Sequence, residues 1–171
     1  VSHGSFFQTN RFLADSFAQA AIEGLQGNTA LELFAGAGYF TLPLASRFGR
    51  VVAVESGVSG IRDLESNRNR AGIEHLETRH AAVELFLEKW DARRQQRPDV
   101  VLLDPPRFGL GRKTAARLAA LHSPAIVYVS CDPATLARDL AGLQASGYRL
   151  ARLRLVDLFP QTFHIEAIAS L

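Results

Sequence analysis

The sequence predicts a doubly wound α/β fold, with a mostly parallel seven-stranded sheet and helices on both faces. Strand-like and helix-like segments alternate along the chain. The early strands are unbroken apolar runs, Val51 to Val54 and Val100 to Leu103, as expected where both faces of a sheet are covered. A glycine turn, Gly36-Ala37-Gly38, stands where the first strand gives way to a helix.

In chain order, a helix is expected over about 10–25, strand 30–34, helix 39–47 and strand 50–55. Helix 58–71, a short strand near 75–79 and helix 82–95 follow. Then come strand 99–103, helix 113–121, strand 125–130 and helix 134–145. Asp132 is a good N-cap for that last helix and Pro133 a good first residue. Two final strands are expected near 148–157 and 162–170. In Arg149–Leu155, apolar and basic residues largely alternate, which predicts a strand with one wet face. No connection is long enough to be a linker, and no repeat interrupts the pattern. The site is expected at the carboxyl ends of the strands.

At 171 residues the chain is one domain, with enough length to bury a core. No apolar run reaches the roughly 18 residues of a membrane span, and no secretory signal opens the sequence. Cys131 is the only cysteine, which excludes an internal disulfide and a four-cysteine zinc site and fits a reducing cytoplasm. The chain starts at Val1 and contains no methionine, so a piece of a longer protein is expected. All of its cations but Lys89 and Lys113 are arginine, which suits phosphate contacts, yet the net charge of +2 does not by itself argue for nucleic-acid binding. Composition leaves the oligomeric state open.

The first motif is Leu31-Glu32-Leu33-Phe34-Ala35-Gly36-Ala37-Gly38-Tyr39-Phe40. The third glycine of a dinucleotide fingerprint would fall at Thr41, so NAD fits poorly. Glu55 ends the next strand, where an acid can accept both hydroxyls of a ribose. Acid, Gly-x-Gly and acid together resemble the methyl-donor site of Rossmann-like methyltransferases. The second motif is Asp104-Pro105-Pro106-Arg107, directly after a buried strand. Its prolines stiffen the backbone and leave Asp104 as a rigid acceptor. Amino-group methyltransferases carry a similar motif, usually followed by an aromatic residue where Arg107 stands here.

The third motif, Ser130-Cys131-Asp132-Pro133, puts a thiol at a strand end and a helix start. Such a thiol tends toward a lowered pKa, although Asp132 opposes the effect. A single cysteine is more often a buried small hydrophobe; its place at the substrate edge argues for a nucleophile. The fourth piece is Phe159-Pro160-Gln161-Thr162-Phe163-His164-Ile165-Glu166. Alone, Glu166 reads as a surface residue of a half-exposed strand, and His164 as a residue that orients or fills.

Together with Phe7-Gln8-Thr9-Asn10, these motifs resemble the RNA 5-methyluridine (uracil-C5) methyltransferases over nearly the whole chain and in the family's order. The resemblance implies a Rossmann-like class I methyltransferase fold over residues 1–171, S-adenosyl-L-methionine as methyl donor, and a uridine of tRNA or rRNA, in a loop or flipped out, as substrate. Carried over by position, Gln8, Phe34, Gly36, Gly38, Tyr39, Glu55 and Asp104 form the donor site, Cys131 is the nucleophile and Glu166 the base. Asp104 and Gln8 are also expected near the uracil. No metal is implied. Tyr39 stands where a small polar residue is expected, and Ala81-Ala82 where an aspartate usually meets adenine, leaving backbone groups or His80 for that contact. The RNA-binding modules that normally precede such a domain are absent from this sequence.

The chemistry accounts for the residue types. Carbon 5 of uracil is a poor nucleophile until a thiolate adds at carbon 6, and a base must then take the carbon 5 proton so that the thiolate can leave. Methylation of an exocyclic amine needs neither group. RNA 5-methylcytosine enzymes typically carry a cysteine in the proline motif, and this chain has none there. That activity, and a donor- or RNA-binding module without catalysis, are the alternative readings.

Overall fold

The computed structural model describes residues 12–90, 96–162 and 164–171. Five parallel strands, β1 (Thr29–Leu33), β2 (Arg50–Glu55), β3 (Leu76–His80), β4 (Val100–Leu103) and β5 (Ala125–Ser130), form most of the sheet. β6 (Arg152–Val156) and β7 (Glu166–Ser170) complete it in the order β3-β2-β1-β4-β5-β7-β6, with β7 antiparallel to both neighbours. The helices are α1 (Ala14–Ile22), α2 (Thr41–Ala45), α3 (Val58–Ala71), α4 (Val83–Glu88), α5 (Gly111–Ala119) and α6 (Pro133–Ala145). The expected doubly wound fold is therefore present. Strand order reverses between β1 and β4, and a crevice opens at such a switch point in sheets of this kind.

Strand side chains alternate between two cores. Leu31, Leu33, Val101, Leu103 and Tyr128 pack with Leu87, Leu118 and Leu136 of α4, α5 and α6. Ala30, Val51, Ala53, Val100 and Leu102 pack with Phe17, Leu44, Ile61 and Leu64 of α1, α2 and α3. Coverage on both faces is why these strands read as unbroken apolar runs.

Several boundaries differ from the sequence-based expectation. α1 stops at Ile22, because Glu23 turns extended and Gly24 takes φ 74°. α4 ends at Glu88; residues 91–95 of the helix expected there lie outside the described residues. β7 begins only at Glu166. The segment before it folds into turns, in which Phe159 N donates to Asp157 Oδ1 (3.1 Å) and Thr162 N to Phe159 O (3.1 Å), and Pro160 has no donor to offer a ladder.

β6 does not show the single wet face expected: Arg152 is exposed along with the leucines. Leu153 and Leu155 are exposed, and Val156 is half-buried. Arg152 and Arg154 reach Glu23 just past α1, and Arg154 also donates to Ala20 O. The last turn of a helix leaves carbonyls without intrahelical donors, and an arginine can supply them while laying its stem along the protein.

One carboxylate ties three elements together. Asp139 of α6 is buried, and its Oδ2 accepts from Tyr128 OH of β5 (2.8 Å) and from Leu110 N, just before α5 (2.6 Å). Gly109 passes so close that a Cβ there would lie 2.3 Å from that same oxygen, and its φ of 72° also suits glycine. Replacing Asp139 by Ala leaves two buried donors without a partner, at about 1–3 kcal/mol each. Denaturant titration of Asp139→Ala should therefore show a loss of more than about 2 kcal/mol, and a loss below about 0.5 kcal/mol would contradict this role.

Glu32 is the other buried acid of note. It lies within β1 with Oε2 lacking a hydrogen-bond partner among the described residues. Burial pushes its carboxyl up to about 8, and the Asp104 and Glu55 carboxylates act in the same direction. A folded-state pKa above the unfolded value means that the native state holds the extra proton, so this stability is present at low pH and lost as pH rises through about 8. The melting temperature should thus fall as pH is raised from 5 to 8, and Glu32→Gln should flatten the fall. Parallel curves for the two proteins would show that Glu32 does not titrate there.

Candidate active site

The carboxyl ends of β1, β2, β4 and β5 open onto a cleft of about 910 Å³, a volume suited to a small organic ligand. Phe34, Gly36, Tyr39 and Glu55 line one part of it; Asp104, Cys131 and Glu166 line another. The structure therefore gathers these predicted site residues around one space. Gln8 lies outside the described residues.

The β1–β2 register sets the first half. Leu33 pairs with Val54, and beyond that pair the chain turns with Phe34 at φ 62°, a left-handed conformation uncommon outside glycine. Ala35 N donates to Val54 O (3.0 Å) and Gly36 N to Glu55 Oε2 (2.7 Å). Gly57 N donates to the other oxygen of Glu55. Each carboxylate oxygen thus holds one backbone donor and keeps capacity for another. Gly38 does not reach the cleft wall. At φ 96° it sits against α3, where a Cβ would come within 2.7 Å of Leu64 Cδ1. Tyr39 lines the cleft, but its hydroxyl donates to Ala14 O of α1, and burial pushes the phenol up to about 12. It contributes a ring to the wall. At the β3 side, His80 Nε2 meets Ser56 O (3.1 Å), while Ser56, Val83 and Glu84 line the cleft.

The second half depends on β7. Ser130 pairs with Ala167, so the next antiparallel step sets Glu166 beside Cys131. Asp104 follows β4 between Leu33 and the two prolines, and its N–H reaches Leu33 O (3.4 Å). Burial pushes its carboxyl up to about 7, and the Glu166 carboxylate adds to the shift. Burial also raises Glu166, against the pull of the Arg107 guanidinium. Glu166 is thus a buried group, not the surface residue it resembles when read alone.

Cys131 departs from the expectation of a lowered pKa. Asp132 does cap α6, accepting from Thr135 N (2.8 Å). Burial nevertheless pushes the thiol up; a hydrogen bond from Arg107 opposes this, and the Glu166 and Asp104 carboxylates reinforce it. Desolvation of the charged form is the largest cause.

Arg107 is the residue whose placement the sequence leaves unstated. It reaches Cys131, and its Nη2 donates to His164 Nδ1 (2.7 Å). His164 also packs edge-on against Phe159. The only early sign of Arg107 is its departure from the aromatic residue usual after Asp-Pro-Pro. Among the described residues no cluster of His, Cys, Asp and Glu is arranged to hold a metal ion, and no helix is long and apolar enough to cross a membrane.

The family described as tRNA (Uracil-5-)-methyltransferase matches residues 1–171. An uncharacterized RNA methyltransferase of Streptomyces coelicolor is 40% identical over 177 residues, which cover 100% of this chain and 38% of that protein. The 23S rRNA (uracil(1939)-C(5))-methyltransferase RlmD of Shewanella sediminis is 37% identical over 171 residues, covering 97% of this chain and 38% of that protein. Among solved structures, Pyrococcus abyssi tRNA (uracil-54, C5)-methyltransferase in complex with S-adenosyl-L-homocysteine superimposes with a TM-score of 0.85 at 32% identity, covering 98% of this chain and 40% of that one. The chain spans about two fifths of the length of these proteins. With a family match along its whole length, the chain belongs to the tRNA (uracil-5-)-methyltransferase family.

Proposed function

We propose that this chain is the catalytic domain of an S-adenosylmethionine-dependent enzyme that methylates carbon 5 of a uridine in tRNA or rRNA through a covalent cysteine adduct. The observation that carries the reading is that Cys131 and Glu166, each next to the Ser130–Ala167 pair that ends the β5–β7 register, line one cleft with Glu55 and the Gly36 turn. The names of the RlmD relative and of the Pyrococcus abyssi enzyme support uracil carbon 5 as the target.

The donor site fits the cofactor's parts. Glu55 offers acceptor capacity for ribose hydroxyls, the turn at Gly36 leaves room for close approach, and Phe34 and Tyr39 give apolar walls. Ser56 and Glu84 supply polar groups on the side where no aspartate follows β3. Bound S-adenosylmethionine supplies an electrophilic methyl group. The remaining chemistry belongs to the chain. The Cys131 thiolate, held by Arg107, adds to carbon 6 and makes carbon 5 nucleophilic. Glu166 removes the proton from the methylated carbon 5, the carbon–sulfur bond breaks, and the electron pair returns to sulfur. The base must leave its stack to enter the cleft, so a loop or flipped uridine is the substrate.

The two catalytic substitutions should fail differently in the whole protein acting on RNA. Cys131→Ala should form no covalent complex. Glu166→Gln should add and methylate but release slowly, so that a protein–RNA adduct accumulates as a slower band on a denaturing gel. An adduct in Cys131→Ala, or full-speed turnover by Glu166→Gln, would remove the assigned role. Glu55→Ala should weaken S-adenosylhomocysteine binding by roughly 1–3 kcal/mol in calorimetry, and unchanged affinity would take Glu55 out of the site.

A further inference from the structure

Phe108 is a large apolar side chain left 70% exposed, and it lines the same cleft as Cys131 and Glu166. Isolated exposed aromatics are ordinary on protein surfaces, so exposure alone argues nothing. Its setting does. Gly109 N donates to Pro106 O (2.7 Å), closing a turn with Arg107 and Phe108 at its centre. α6 holds that turn at consecutive carbonyls: Thr135 Oγ1 donates to Arg107 O (2.9 Å), and Arg138 Nη2 to Phe108 O (2.7 Å). Asp139 grips the next segment through Leu110 N. The backbone under Phe108 is thus fixed, and a ring presented this way loses little further freedom when it binds something. Arg107 reaches inward from the same turn to Cys131 and His164, so the turn bears one residue for the reacting centre and one for the rim. Exposed Arg112 and Lys113 follow within the first turn of α5, four and five residues along the chain from the ring.

We infer that Phe108 is an RNA-contact residue that stacks on the base next to the target uridine in the strand, with Arg112 and Lys113 facing the adjoining phosphates. The inference rests on the uridine reading above. Drawing a uridine into the cleft deprives its neighbour of a stacking partner. An aromatic face at the cleft mouth replaces that partner whatever the neighbour's identity, because every base has a π-face. Basic side chains beside an aromatic complement a polyanion rather than an apolar protein surface.

The test is a cycle on the whole protein, with an RNA hairpin substrate and versions that carry an abasic nucleotide on either side of the target. Loss of one flanking base should lower kcat/KM of the wild type by about tenfold. Phe108→Ala should show a similar loss on intact RNA, and base removal should then cost it nothing further. Phe108→Trp should restore both the rate and the sensitivity to base removal, whereas Phe108→Leu, which keeps an apolar side chain, should not. Independent, multiplying losses, or a Leu variant equal to wild type, would overturn stacking and leave Phe108 a packing residue. Should Phe108→Ala fail to fold, the Trp and Leu variants decide by the same comparison. A wild-type protein that forms no 5-methyluridine on intact RNA overturns the functional reading itself, and this inference with it.

Discussion

The site depends on where one antiparallel strand enters an otherwise parallel sheet. Parallel strands deliver only their carboxyl ends to the crevice, so β1, β2, β4 and β5 each contribute the residues that follow them. β7 runs the other way between β5 and β6, and its first residue arrives at the same edge. Pairing Ser130 with Ala167 then brings the end of one strand, Cys131, to the beginning of another, Glu166. A slip of one residue would turn Glu166 to the opposite face. The apolar residues Ala167, Ile168 and Ala169, which divide between the two cores, guard against that slip. Packing thereby sets the spacing between the proposed nucleophile and base.

The crevice is also an electrostatic arrangement. Burial pushes Glu32, Asp104, Glu166 and Cys131 toward their neutral forms, and neighbouring carboxylates push Glu32, Asp104 and Cys131 further. Arg107 works against this at Glu166 and Cys131. Its position is secured by His164 on one side and by the turn clamped to α6 on the other. A charged guanidinium donor holds a thiolate more strongly than a neutral donor would.

Much of this was legible in the sequence for definite reasons. Both faces of the sheet are covered, so Val51–Val54 and Val100–Leu103 announced themselves as apolar runs. Asp132-Pro133 marked the start of α6, and with it the position of Cys131. Features set by tertiary contact were not legible. Alternation in Arg149–Leu155 tells which residues share a face, but only tertiary contact decides that Arg152 and Arg154 pair with Glu23 while Leu153 and Leu155 stay exposed. The Tyr39 hydroxyl is engaged by a carbonyl of α1, which no local pattern foretells. Gly38 looked like a ligand-facing glycine, yet its missing side chain makes room for Leu64. The thiol's upward shift comes chiefly from desolvation, with the Glu166 and Asp104 carboxylates adding to it, and no local pattern displays either.

In the proposed mechanism the sulfur of Cys131 bonds to the uracil ring during turnover. The most direct test of this step is to incubate the whole protein with S-adenosylmethionine and RNA bearing 5-fluorouridine at the target position. Fluorine cannot depart from carbon 5 as a proton does, so the adduct is trapped after methyl transfer. Proteolysis and mass spectrometry of the trapped species should find the modified nucleotide on the peptide that contains Cys131, joined through its Sγ. Attachment at any other residue, or an absence of adduct in a preparation that converts ordinary uridine to 5-methyluridine, would contradict the account.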